Sequence, residues 1–144
     1  MKRAILTTAA LALALAAGTP VLAQDAGLKA AVKADYDANL ATLFDWFHRN
    51  PELSGQEVQT SARLARELTA LGYQVTTGVG GTGVVAVLKN GDGPTVMIRA
   101  DMDGLPLQER SGLANASTAR QLDADGVEKP VMHACGHDVH ITAL

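Results

Sequence analysis

The residues best suited to chemistry lie together near the end of the chain, in Met132-His133-Ala134-Cys135-Gly136-His137-Asp138-Val139-His140. This stretch holds the single cysteine of the sequence and all but one of its histidines. Thiolate and neutral imidazole are the donors that zinc, cobalt and similar ions prefer. The spacing Cys135-x-His137 lets two donors reach one ion, or lets one histidine bridge a pair. His133 and His140 are weaker candidates, because a nearby histidine is as readily a hydrogen-bond partner. A catalytic metal site needs three or more protein donors and an open position. The cluster supplies two or three, so it reads as half of a metallohydrolase site.

A second group of candidates is Asp101-Met102-Asp103. Side chains in an extended segment repeat every two residues, which puts both carboxylates on one side. One of them could orient a ligand histidine, against the plainer reading of a solvated strand end. The run Gly78-Val79-Gly80-Gly81-Thr82-Gly83 lacks the Lys and Ser/Thr of a phosphate loop, and no helix follows it. It is expected to be a tight turn between strands. His48, before Arg49-Asn50-Pro51, suits the negative end of a helix dipole and is read as structural.

The elements that must position these groups follow from periodicity. Leu28, Val32, Tyr36, Leu40, Leu43, Phe44 and Phe47 recur at helical steps, and the helix should end near Asn50 because Pro51 follows. Ser54 and Glu57 have capping-box spacing for a second helix with the face Val58, Ala62, Leu64, Ala65 and Leu68. Gly72 should stop it. Strands are expected at Tyr73–Thr77, Val84–Leu88 and Thr95–Ala100, with a turn at Asn90-Gly91-Asp92-Gly93. A long loop should cover Met102–Pro130, and a helix should open after His137.

Composition and the N-terminus bound the class. Lys2 and Arg3, the uncharged run Ala4–Ala17, the break at Gly18-Thr19-Pro20 and the small residues Val21 and Ala23 form a secretory signal peptide over 1–23. The apolar run is too short for a full membrane span. Cleavage before Gln24 leaves 24–144 as one domain part, more acidic than the formal charge of −3 of the whole chain. Without a basic stripe, nucleic acid is excluded as a partner, and no membrane association is expected after cleavage. Export to a periplasmic or extracellular space permits disulfides, yet a lone cysteine closes none internally, which favours Cys135 as a ligand.

Four stretches taken in order carry a resemblance. Phe47-His48-Arg49-Asn50-Pro51-Glu52-Leu53-Ser54, Gly80-Gly81-Thr82-Gly83-Val84-Val85, Arg99-Ala100-Asp101-Met102-Asp103-Gly104-Leu105-Pro106 and His133-Ala134-Cys135-Gly136-His137-Asp138 resemble the M20 peptidase family. The similar branch is that of hippurate hydrolase, N-acyl-amino-acid amidohydrolases and auxin-conjugate hydrolases. The resemblance implies the N-terminal part of a two-domain α/β zinc-peptidase-like enzyme, here two helices and then a mixed sheet. It implies a pair of divalent ions (zinc, manganese, cobalt or nickel) and an amide substrate such as an N-acyl amino acid or a peptide-like conjugate. By the same resemblance Cys135 and His137 are metal ligands, and Asp101 and Asp103 line the site. The general-base glutamate, two further histidine ligands and a small dimerisation domain are expected downstream of Leu144. The whole enzyme could then be a homodimer, and this chain reads as its N-terminal third, inactive alone. The alternatives are a weak, non-catalytic metal binder, or a metallo-carboxypeptidase or dipeptidase of the same family.

Overall fold

The computed structural model describes residues 26–144; the expected signal peptide and its cleavage point lie outside the described residues. The helical start is α1 (Ala26–Asp35), a π-helical turn (Tyr36–Leu40) and α2 (Ala41–Arg49). One helix was expected here, and the π turn divides it. A π turn takes up an extra residue, and at 3.6 residues per turn one residue rotates the upstream face by about 100°. Consistently, Leu28, Val32 and Tyr36 are exposed while Phe47 is fully buried. α2 ends as expected at Asn50, whose amide N–H donates to the carbonyls of Trp46 and Phe47.

Helix α3 (Val58–Ala70) is capped differently from the expectation. Ser54 does not reach its first turn. Glu52 does: its carboxylate accepts the N–H groups of Gln59 (3.1 Å) and Thr60 (2.8 Å). These are two of the donors that a helix start leaves without partners. Glu57 instead accepts Gly55 N–H at 2.9 Å and the Thr82 hydroxyl at 2.6 Å, tying the start of α3 to the glycine loop. The buried face is Thr60, Ser61 and Leu64, with Val58 exposed. The C-terminus behaves as read: Gly72 is left-handed at φ 87°, Gly72 N–H donates to Thr69 and Tyr73 N–H to Leu68, the paired bonds of a glycine-terminated helix.

β1 (Gln74–Val79) and β2 (Gly83–Val87) form an antiparallel hairpin whose turn is the glycine run, as expected. Residues 95–100, expected as a strand, join no ladder, and Val96, Met97 and Ile98 are exposed. A strand exists by virtue of a partner, and none of the described strands lies beside this segment. The expected loop 102–130 contains a second hairpin, β3 (Arg120–Leu122) with β4 (Glu128–Pro130). The chain is thus α/β, its ladders antiparallel hairpins, with one parallel bridge between Leu53 and Gly104. Among the described residues no helix is long and apolar enough to cross a membrane.

The core sits where these pieces meet α4 (His137–Ala143). Phe47 of α2, Leu64 of α3 and Ile141 of α4 pack together, with Leu43, Trp46, Ala100 and Met102 against them. Two backbone junctions bring the motifs to one place. Gly104 N–H donates to the Glu52 carbonyl at 2.6 Å, and Leu105 and Met132 exchange both backbone bonds. A side chain at Gly104 would meet Val131 Cγ1 at 2.8 Å and Pro51 Cβ at 2.9 Å, so glycine permits this approach.

Candidate metal centre

The segment after Met132 makes a tight turn, with Gly136 N–H donating to the His133 carbonyl at 3.1 Å. Gly136 is left-handed (φ 76°) and leads directly into α4. This geometry separates the neighbouring side chains: His133 is buried, Cys135 is exposed, and His137 and Asp138 occupy the first turn of the helix.

His137 meets the candidate aspartate. Its Nδ1 lies 2.9 Å from Asp103 Oδ1 and 3.0 Å from the Asp103 carbonyl oxygen. A ring whose Nδ1 is held by a carboxylate presents Nε2 as its donor to a metal, the usual arrangement around metal-bound histidine. Asp101, by contrast, pairs with Arg99 at the surface. The two aspartates, read together from the sequence, therefore go different ways. His140 stacks obliquely near His137, the ring centres 5.4 Å apart.

His133 is held in another manner. Both of its ring nitrogens are buried without a hydrogen bond of ordinary geometry, although the Asp103 backbone is near enough to favour its proton. Burial drives its pKa below the ordinary imidazole value, against the opposing charge of Asp138. It is therefore a neutral group near pH 7, at the first position of the motif.

His48, read as a helix-end residue, does more than face a dipole. Its Nδ1 lies 2.7 Å from Asp138 Oδ2, and its Nε2 lies 3.3 Å from Glu109 Oε1. Burial works to lower its pKa, but the Asp138 hydrogen bond and the Glu109 and Asp138 charges prevail, so the net shift is upward. Glu109 is shifted downward: burial opposes its charge, yet the Ser111 hydroxyl, the Ser117 N–H and His48 stabilise it. Glu109 carried no sequence signal for this role, since His48 lies far from it along the chain.

An exposed thiol at Cys135 and a histidine backed by Asp103 suit a borderline divalent ion in donor type. They do not complete a site: no cluster of three or more His, Cys, Asp or Glu arranged for a metal occurs among the described residues.

Comparison with known proteins extends this picture. The chain is 45% identical over 98 residues to hippurate hydrolase of Campylobacter jejuni, covering 67% of this chain and 23% of that protein. It is 46% identical over 99 residues to thermostable carboxypeptidase 2 of Saccharolobus solfataricus, again 67% of this chain and 23% of the relative. Among solved structures it matches a Bacillus subtilis protein described as a dinuclear metal-binding peptidase from the M20 family, with TM-score 0.64 and 36% identity over 77% of this chain and 29% of that one. Over the matched part the chain is similar to amidohydrolases and to peptidases of the M20 family. No family model matches it. The chain spans about 23% of the length of the curated relatives it matches. The expected α/β class stands.

Proposed function

We propose that this chain supplies part of the metal site of an exported, metal-dependent amidohydrolase. The substrate class is the N-acyl amino acids and related small conjugates, whose amide bond is hydrolysed. The observation that carries the reading is the pairing of His137 with Asp103, which readies one histidine nitrogen for a metal in a motif that also holds Cys135. Support for the substrate class comes from the hippurate hydrolase relative, and support for paired ions from the dinuclear M20 peptidase.

In this reading Cys135 and His137 hold the ion, which when bound polarises a carbonyl and acidifies a water. Asp103 fixes the His137 ring and its tautomer. Gly136 makes the turn that sets both donors at the start of α4. Export rests on the charge and hydropathy pattern of residues 1–23, and a further base and further ligands are expected from sequence downstream of Leu144. A peptidase of the carboxypeptidase kind is the second reading, favoured by the Saccharolobus relative.

The test is metal content and hydrolysis in the full-length enzyme bearing Cys135→Ala or His137→Ala. Each is expected to lose bound metal and most of its hydrolysis of an N-acyl amino acid. Unchanged stoichiometry and rate in both variants would remove the assignment, and cleavage of peptides in preference to N-acyl amino acids would favour the second reading.

A further inference from the structure

The contact between α2 and α4 joins two parts of the chain that the metal motif alone does not connect. His48 sits near the end of α2, its ring stacked on Phe44 with centroids 5.6 Å apart. From there it reaches Asp138, whose side chain is only 4% exposed. Asp138 is fully engaged: Oδ2 faces His48 Nδ1 at 2.7 Å, and Oδ1 accepts the Val139 N–H at 2.9 Å. On the far side of the ring, the Glu109 side chain is only 3% exposed and anchored by the Ser117 N–H at 2.6 Å. A buried carboxylate with no partner is strongly unfavourable, so these groups hold one another in place.

Asp138 follows directly after His137. The first turn of α4 is therefore pinned twice, His137 by Asp103 and Asp138 by His48. We propose that His48 is a positioning residue for the metal motif: by holding Asp138 across the α2–α4 contact it sets the orientation of the first turn of α4, and with it the direction in which His137 presents Nε2. This rests on the reading of His137 as a metal ligand.

The test uses the full-length enzyme loaded with Co²⁺, reading the visible spectrum and the affinity measured by competition with a chelator. His48→Leu removes the tether, His48→Asn keeps an amide donor near the position of Nδ1, and His48→Gln keeps one near Nε2. Loss of an outer partner of a metal site weakens affinity by roughly 10- to 100-fold. That loss, with an altered Co²⁺ spectrum, is expected for His48→Leu and His48→Gln, with His48→Asn close to the wild type. If His48→Leu does not fold, the comparison of Asn with Gln decides, and equal affinities overturn the proposal. A His48→Leu protein that melts earlier but binds Co²⁺ with unchanged affinity and spectrum also overturns it. His137→Ala is the control for the underlying reading. Co²⁺ binding that survives His137→Ala overturns the site and this proposal together, whereas binding lost in His137→Ala but intact in His48→Leu overturns this proposal alone.

Discussion

Asp103 Oδ1 lies 2.9 Å from Nδ1 of His137, a contact between two motifs separated by 34 positions. Asp101, two residues earlier, is spent on Arg99 at the surface. The two aspartates should therefore respond differently to substitution. Asp103→Asn in the full-length enzyme is expected to lower metal affinity by roughly 10- to 100-fold, the usual cost of losing a ligand's carboxylate partner. Asp101→Asn should change it little. Chelator competition on both variants measures this, and equal losses would return the pair to a common role.

Gly104 gives a prediction about stability. Its backbone runs against Pro51 and Val131, where an added Cβ would sit 2.9 and 2.8 Å from their side-chain carbons. Both neighbours are buried, and Val131 is 1% exposed. Gly104→Ala is expected to destabilise by about 1–3 kcal/mol, the range for overpacking a filled core. The denaturation midpoint checks this, and an unchanged midpoint would mean that the two segments separate freely.

How much of this was legible in the sequence depends on the range of the interaction. Local signals were sound: Pro51 ends α2, Gly72 ends α3, and the glycine run turns the β1–β2 hairpin. The cap of α3 was misplaced because Ser54 and Glu57 match a capping box in spacing, while Glu52, earlier in the same connection, takes the N–H groups itself. Thr95–Ala100 has strand composition, but composition cannot supply the neighbouring strand. In the site, the Cys/His cluster and the aspartate pair were visible as residue types. That Asp103 and not Asp101 meets His137 depends on the Gly104–Glu52 and Leu105–Met132 junctions, which no local pattern encodes. Glu109 was invisible for the same reason, its partner His48 lying 61 residues away near the end of α2.

The His48 cluster predicts a pH dependence with a defined sign. His48 has a raised pKa in the folded protein, where the hydrogen bond to Asp138 and the charges of Glu109 and Asp138 overcome the effect of burial. A group that holds its proton more tightly when folded contributes its full stability below its unfolded pKa. That contribution is lost as pH rises through the folded value. The stability difference between the protein and His48→Leu should thus be steady in mildly acidic solution and shrink above the ordinary imidazole range. Glu109, with a lowered pKa, acts on the opposite flank, its contribution being lost as pH falls through its folded value. Melting curves of both proteins across this span measure the effect, and a difference that widens with rising pH would contradict it.

A polypeptide of residues 24–144 alone is expected to hold Zn²⁺ or Mn²⁺ weakly and to hydrolyse no N-acyl amino acid. The described residues bring no three donors together for a metal, and two ligands leave an ion loosely held. Each glutamate also has a partner, so none is expected to act as a general base. Glu52 caps α3, Glu57 holds Gly55 and Thr82, Glu67 pairs with Arg63, Glu109 with His48, and Glu128 with Arg120. The exposed side chains of Val96, Met97 and Ile98, and the short α4, add faces that gain nothing by folding alone. The polypeptide should therefore melt with low cooperativity. Circular dichroism, metal titration and an N-acyl amino acid assay on the same sample test all three points. A sharp melt with turnover near that of a full-length M20 relative would show that residues 24–144 carry a working site, and that one of these glutamates leaves its partner to act as the base.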